Sequence, residues 1–238
     1  MMEEKIGLRF RHENKYLLSP WQEAVLKVRA TGLLMPDAHA RENGGTYHIH
    51  SLYFDDPYDS CLWDNLGGAD PRSKYRIRYY NRNLDYIVLE KKTKKRGLGV
   101  KTSCTLSAGE CEQLMRGVIP DIRPEMEKTK QTLLTEMCVK GLVPRVLVDY
   151  RRTPFVYPGG NVRITFDRDL SASEEIGLFL TGDYHLRPVM ENGQCLLEVK
   201  WDELLPRHIK EMVQPETLTW TAFSKYALCR SVSLCKTI

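Results

Sequence analysis

Apolar and polar residues alternate with a period of two along much of this 238-residue chain, in segments separated by short turns. Successive side chains of a β-strand point to opposite faces, so the alternation predicts strands with one apolar and one polar face. No regular strand–helix–strand order joins them, which favours antiparallel pairing. The predicted strands are 7–18, 46–54, 73–81, 85–93, 99–106, 144–157, 162–168 and 195–201, with 176–181 a weaker candidate.

Helical segments are fewer, and two of them begin at clear capping sites. Ser19, Pro20 and Gln22 together predict an amino-terminal cap with a capping box and a helix over 19–30. Ser107 with Glu110 repeats the capping box. The other segments with helical spacing are 121–140, 203–213 and 217–231.

The balance of eight or nine strands and few helices predicts an α+β fold. We expect one domain over residues 1–238, built as an antiparallel β-barrel or a strongly curved sheet with flanking helices. Residues 158–161, Pro-Gly-Gly-Asn, predict a tight hairpin turn between two of the strands, because Gly159 and Gly160 can adopt positive φ.

Charged residues recur on one face of several predicted strands. Glu-x-Lys occurs three times, as Glu13 with Lys15, Glu90 with Lys92, and Glu198 with Lys200. A solvated sheet face would account for any one of these strands. Across the whole set, however, basic residues outnumber acidic ones, while the opposite faces are apolar enough to need covering by helices.

A closed sheet with the charged face inward would require a polyanionic ligand. Two unit charges ~6 Å apart repel by about 3 kcal/mol at an effective dielectric near 20. Phosphate chains suit such a space, because arginine offers forked donors to phosphate oxygens and lysine a compact charge. A carboxylate on the same face is a hard ligand for Mg²⁺ or Mn²⁺, which bridges protein and phosphate.

Other features restrict the class of protein. A net charge of +4 is too small by itself to indicate a nucleic-acid partner, and seven cysteines without a Cys-x-x-Cys pattern favour reduced thiols. No segment approaches the roughly 18 consecutive apolar residues of a membrane span, and no signal peptide is recognisable, so we expect a cytoplasmic location. The P-loop and dinucleotide-binding glycine patterns are absent.

Eight short motifs occur in an order that resembles a known family. They are RHENKY, SLYFDD, KYRIRYYN, LEKKT, DYRRTPF, VRITFDRDL, LEVK and FSKY. This resembles the VTC domain, the polyphosphate polymerase domain of the vacuolar transporter chaperone complex, within the CYTH-like or triphosphate tunnel metalloenzyme superfamily. The similarity runs from about residue 7 to residue 230. It implies a tunnel of eight antiparallel strands that transfers the γ-phosphate of ATP to a growing inorganic polyphosphate chain.

The resemblance also implies site residues by motif position. Glu198 would be the ligand of Mn²⁺ or Mg²⁺. Tyr150 would complete the lining, and Glu13, Glu90 and Ser224 are predicted substrate contacts from their place on the charged face or beside Lys225. The phosphate ligands, and thus the predicted catalytic residues, would be Lys15, Arg76, Arg78, Lys92, Arg152, Arg163, Lys200 and Lys225.

The sequence departs from the resemblance in one strand-to-strand connection, and it leaves two other functions open. Family polymerases often carry a further basic residue where this chain reads DNLGGADPR, with Arg72 nearby. Expected partners are ATP and inorganic polyphosphate, with an unidentified protein partner allowed and neither nucleic acid nor a membrane span expected. The alternatives are a hydrolase of inorganic or organic triphosphates in the same tunnel, and a polyphosphate-binding module without catalysis.

Overall fold

An antiparallel β-sheet forms the framework of the protein. The computed structural model describes residues 10–213 and 218–235. Within these residues the strands are β1 (His12–Leu18), β2 (Met35–Pro36), β3 (Tyr47–Asp55), β4 (Arg72–Tyr80), β5 (Asn83–Lys95), β6 (Leu98–Leu106), β7 (Val143–Tyr157), β8 (Val162–Ser173), β9 (Arg187–Pro188) and β10 (Cys195–Trp201). These bounds confirm the eight principal strands that the alternation predicts.

Eight of the described strands form one continuous path, and the path curls until its edges meet. The order is β1-β10-β8-β7-β3-β4-β5-β6, with the two-residue strands β2 and β9 added to β7 and β8. Arg11, next to β1, and Gly99 of β6 form an antiparallel bridge whose backbone hydrogen bonds measure 2.9 and 3.0 Å. The predicted class, an eight-stranded antiparallel barrel with flanking helices, is therefore confirmed.

Short helices flank the curled sheet. The described helices are α1 (Pro20–Leu33), α2 (Ala38–Arg41), α3 (Ser60–Leu66), α4 (Ala108–Met115), α5 (Lys128–Val139), α6 (Arg207–Val213) and α7 (Lys225–Leu234). Both predicted capping boxes are confirmed, at Ser19 with Gln22 and at Ser107 with Glu110. None of the helices in the described part of the chain is long and apolar enough to cross a bilayer.

The apolar strand faces pack outward against these helices. Tyr16, Leu197 and Val199 lie in one cluster with Leu26 of α1 and Ile209 of α6. Another cluster joins the outward residues of β4, β5 and β6 to helices α4 and α5. Because side chains alternate between faces, covering the apolar face leaves the charged face of each strand on the concave side.

Helix α7 packs on the concave side of the sheet. Its Tyr226 is buried, stacks on Tyr53 with a ring-centroid distance of 5.2 Å, and donates a hydrogen bond to Asp55. Val146 and Val148, which share a strand face with Tyr150, lie in the same apolar cluster. Part of the barrel interior is thus filled by hydrocarbon, and the charged residues occupy the rest.

Several predicted segments differ from the structure. The weak candidate strand 176–181 is wrong, because Ile176–Leu178 forms a 3₁₀ turn. The helix predicted over 121–140 begins only at Lys128, as α5. Pro124 disfavours the helical conformation at residue 123, and nothing in the structure explains why 124–127 are not helical. The helix predicted over 203–213 begins only at Arg207, after Pro206. Strand 7–18 begins at His12, and residues 7–9 lie outside the described residues.

The last predicted helix, 217–231, begins late because its first residues pair with a strand. Residue 217 lies outside the described residues. Trp220 forms an antiparallel bridge with Tyr16, and the Thr221 amide donates to the Lys15 carbonyl at 2.9 Å. This segment therefore extends along the edge of β1 that faces away from β10, before α7 starts at Lys225.

The turn at 158–161 joins β7 and β8 as predicted. Gly160 adopts φ of +73° and Asn161 φ of +48°, whereas Gly159 does not have positive φ. A Cβ atom at position 160 would lie 2.0 Å from the Leu204 carbonyl oxygen. Glycine is required there by both backbone conformation and space.

Candidate active site

Buried Glu198 of β10 is the centre of the first charged cluster inside the barrel. Its carboxylate oxygens lie 2.8 Å from Lys225 Nζ, 3.2 Å from Arg152 Nη2, 3.2 Å from Lys200 Nζ and 3.5 Å from Lys15 Nζ. The register explains this arrangement, because Lys15 of β1 stands directly opposite Glu198. Four of the predicted phosphate ligands therefore converge on the predicted metal ligand.

Two further carboxylates enlarge this cluster. Asp167 of β8 accepts two hydrogen bonds of 2.6 Å from Arg152 and lies 2.6 Å from Lys225 Nζ. Glu13 of β1 lies 2.8 Å from Lys92 Nζ and 3.3 Å from Lys200 Nζ. Lys200 connects Glu13 to Glu198, so side chains from β1, β5, β7, β8, β10 and α7 form one network.

A second cluster surrounds Glu90 of β5, which is 1% exposed. Its oxygens accept from Arg76 Nε at 2.9 Å, from Arg78 Nη2 at 2.6 Å and from Lys101 Nζ at 3.0 Å. Arg76 also donates to the Tyr53 hydroxyl at 2.9 Å. Neighbouring strands β4, β5 and β6 supply these charged groups, and their alternate positions face the same interior.

The two remaining predicted contacts lie beside the first cluster. The ring of Tyr150 lies 4.9 Å from Lys225 Nζ and 5.3 Å from the Arg152 guanidinium carbon. Ser224 caps α7 through a hydrogen bond from the Ala227 amide, and its hydroxyl accepts from Lys74 Nζ at 2.6 Å. Burial raises the pKa of the Tyr150 hydroxyl, so this ring stays neutral beneath the cations.

Arg163 stands apart from both clusters. Its guanidinium lies 2.9 Å from Asp37 Oδ2 and donates to the Tyr47 hydroxyl at 3.1 Å. It nonetheless stands opposite Lys200 in the β8–β10 register. The structure therefore brings seven of the eight predicted catalytic residues to the carboxylate clusters, with Arg163 held beside them by a different acid.

The clusters carry an excess of positive charge. In the described part of the chain, eight cationic side chains contact the four carboxylates Glu13, Glu90, Asp167 and Glu198. Burial alone would raise the pKa of Glu198, but the surrounding cations, led by Lys200 and Lys225, hold it well below its usual range. Burial would likewise raise the pKa of Glu90, but the positive charges of Arg76, Arg78 and Lys101 outweigh burial and lower it.

The excess cations repel one another inside the barrel. Burial, together with repulsion from Lys200 and Lys15, lowers the pKa of Lys92 to about 8 although Glu13 opposes the change. An anion bound beside Lys92 would remove this penalty on its charged form. The interior is therefore balanced only in part by the protein's own acids.

Sequence reasoning missed three charged residues of the interior. Asp167 and Lys101 belong to the clusters, and Lys74 lies in β4 beside them. All three follow the strand alternation, because Lys74 precedes Arg76 by two residues and Lys101 stands opposite Lys92. The period-two pattern would have found them once those strands were placed.

Glu13 and Glu90 hold cations in the structure, and their predicted contact with substrate stays a prediction.

Glu198 is the predicted metal ligand, and the donor groups around it decide which kind of ion it could hold. No group of three or more acidic, histidine or cysteine side chains suited to a metal ion occurs among residues 10–213 and 218–235. Mg²⁺ and related ions on phosphate substrates, however, commonly use one or two carboxylates, waters and substrate oxygens. Buried Glu198, surrounded by phosphate-type cations, fits such a substrate-bridged ion.

A solved structure of low sequence identity supports the fold. A protein from Hippeastrum, described as an adenylyl cyclase with a dominant triphosphatase activity, is 16% identical with a TM-score of 0.55, over 94% of this chain and 96% of that chain. An adenylate cyclase-type protein from Bacillus halodurans is 16% identical with a TM-score of 0.49, over 87% of each chain. A sequence search of curated proteins gave no match.

Comparison with family models identifies the sequence family. The model of the VTC domain matches residues 10–234, which include both carboxylate clusters and every strand of the curled sheet. The motif order, the inward-facing basic residues and the tunnel fold agree with this match. The chain therefore belongs to the VTC domain family.

Proposed function

We propose that the protein is a polyphosphate polymerase that transfers the γ-phosphoryl group of ATP to the end of an inorganic polyphosphate chain. The observation that supports this most strongly is the charge of the interior, where eight cations contact only four carboxylates within the described residues. A ligand carrying several negative charges would balance them. Family membership supports the same substrate class.

In the proposed reaction, a terminal phosphate oxygen of the acceptor chain forms a bond to the γ-phosphorus of ATP. The bond from that phosphorus to the β-phosphate oxygen breaks, and ADP leaves. Phosphoryl transfer passes through a loose transition state, so catalysis consists mainly of positioning and charge neutralisation. The attacking group belongs to the substrate, and no protein nucleophile is needed.

The two clusters would hold opposite sides of the reacting phosphates. Arg76 and Arg78 offer guanidinium donors from β4, while Arg152, Lys200 and Lys225 offer donors from β7, β10 and α7. Their carboxylate partners fix these donors before substrate arrives, which lowers the reorganisation needed during the reaction. Glu13 and Glu90 would act by positioning these cations.

Mn²⁺ or Mg²⁺, held through Glu198, would neutralise charge on the phosphate oxygens when bound. Lys200 and Lys225, which contact Glu198 in this structure, would then turn toward phosphate. Because their charge is retained during this exchange, the interior would remain a strong anion site.

Hydrolysis of a triphosphate is the second candidate function. The same residues would bind the triphosphate, with water in place of the acceptor phosphate. The Hippeastrum protein of the same fold is described as having a dominant triphosphatase activity, which favours this alternative over a binding module.

Product analysis distinguishes these functions. Purified protein would be incubated with ATP and Mn²⁺ or Mg²⁺, and the products separated on a gel and stained for polyphosphate. We expect long-chain polymer together with ADP. Orthophosphate as the sole phosphate product would identify a hydrolase, and unchanged ATP in the presence of tight polyphosphate binding would identify a binding module.

A further inference from the structure

Three cations, Arg72, Lys74 and Lys94, lie at one end of the β4–β5 pair. In the described part of the chain no carboxylate pairs with them, whereas carboxylates do pair with the cations of the two clusters. Arg72 stands directly opposite Lys94, and Lys74 stands directly opposite Lys92. Like charges in directly opposed positions destabilise an antiparallel pair. Further along the same strands Arg76 instead faces Glu90, so only this end accumulates like charge.

Neutral groups hold two of these cations in place. Arg72 Nη1 donates to the Ala69 carbonyl at 2.7 Å, and Lys74 Nζ donates to the Ser224 hydroxyl at 2.6 Å. The Asn65 amide, oriented to satisfy its neighbours, places its oxygen 3.1 Å from Lys74 Nζ and 3.3 Å from Arg72 Nε. No ion pair to Arg72, Lys74 or Lys94 occurs within the described residues.

We infer that Arg72, Lys74 and Lys94 form a separate phosphate subsite that binds a linear polyphosphate beyond the three phosphates held by the two carboxylate clusters. This inference rests on the proposed function. The subsite is framed by the carboxyl end of α3, through Asn65, and by the cap of α7, through Ser224. Its occupant is a phosphate group of an extended chain.

The length of the basic track supports this assignment. Arg72, Lys74, Arg76 and Arg78 occupy alternate positions of β4 and so share one face. At about 3.3 Å per residue, the six residue steps from Arg72 to Arg78 correspond to roughly 20 Å. A triphosphate needs only part of such a track, whereas a longer chain contacts all of it.

The surroundings of Lys74 predict that binding at the subsite is linked to proton uptake. Burial is the main cause that holds the pKa of Lys74 well below its usual range, and the facing cations add to it. A bound phosphate favours the ammonium form, so affinity for a long chain should fall as the pH rises. The groups that face Lys74 are Glu13, Lys15, Asn65, Arg72, Lys92, Ser224 and Tyr226.

The test is calorimetric titration of the full chain with tripolyphosphate and with a long linear polyphosphate, at several pH values. Wild type should bind the long chain more tightly. Lys74→Gln keeps a hydrogen-bond donor for Ser224 but loses the charge, and should weaken long-chain binding by roughly tenfold or more. Tripolyphosphate binding should weaken less, so the ratio of the two affinities falls and the pH dependence flattens.

Two variants serve as controls. Lys74→Arg should keep the preference for the long chain, because the charge is retained. Lys95→Gln removes an exposed lysine one residue from Lys94, on the opposite face of β5, and should leave the ratio as in wild type. An unchanged ratio in Lys74→Gln, or an equal fall in Lys95→Gln, would overturn the subsite.

The same titrations separate this inference from the proposed function. If ATP yields no polymer but the length preference is present and depends on Lys74, the subsite stands and the polymerase proposal fails. If polymer forms while tripolyphosphate and long polyphosphate bind equally well, the polymerase proposal stands and the subsite fails.

Discussion

Arg78→Ala is expected to reduce polymer formation by a factor on the order of 10²–10³, the usual effect of removing one preorganised donor from an active site. Arg78 is 12% exposed, and its guanidinium faces the interior beside Glu90. Glu90 would keep its contacts with Arg76 and Lys101, so the fold is retained. Initial rates of ADP release and polymer yield, both measured with ATP and Mn²⁺, provide the comparison.

Arg82→Ala is the matched control for that variant. Arg82 is 64% exposed, follows β4 by two residues, and donates to the Gly182 carbonyl outside the barrel. The control should retain the wild-type rate. Equal activity of wild type and Arg78→Ala, with both proteins folded, would contradict the assignment of β4 to phosphate binding.

Arg152→Met is expected to cause the largest loss of stability. Arg152 contributes a buried guanidinium to both Asp167 and Glu198. Its loss leaves buried Asp167 with Lys225, which Glu198 also shares. Removing one partner of a buried ion pair typically costs about 3–5 kcal/mol. For a chain of this length the melting temperature should fall by roughly 6–20 °C.

Arg151→Met provides a comparison at the adjacent position. Arg151 points to the other face of β7, is 49% exposed, and pairs with exposed Asp169. An exposed ion pair of this kind contributes about 1 kcal/mol or less. Thermal unfolding followed by circular dichroism should therefore separate the two variants clearly, and equal melting temperatures would show that the Arg152 network is solvated rather than buried.

The strands and their inward residues could be predicted because alternation is a local property. Because Arg76 and Arg78 share one face of a strand, the apolar residues that alternate with them must lie on the other face, which packs against the helices. The same logic placed Glu198 with Lys200. It did not identify Asp167 as the second acid of the Arg152 site, because the register was not extended from the predicted turn at 158–161, which places Asp167 directly opposite Arg152.

Contacts between residues far apart in the sequence explain why the last predicted helix begins late. Residues 218–224 carry helical spacing, yet Trp220 and Thr221 lie along the edge of β1. The phosphate contact of Arg163 stays a prediction. Its ion pair with Asp37, which lies just before α2, is a tertiary contact that no local pattern reveals.

The proposed function requires that the inward-facing cations form one anion site whose charge is completed by phosphate. A crystal structure of the protein with tripolyphosphate tests this most directly. We expect phosphate oxygens between the two clusters, within hydrogen-bonding distance of Arg78, Arg152 and Lys200, with Lys200 turned away from Glu198. Phosphate bound only on the outer surface, with every cation still on its carboxylate, would contradict the account.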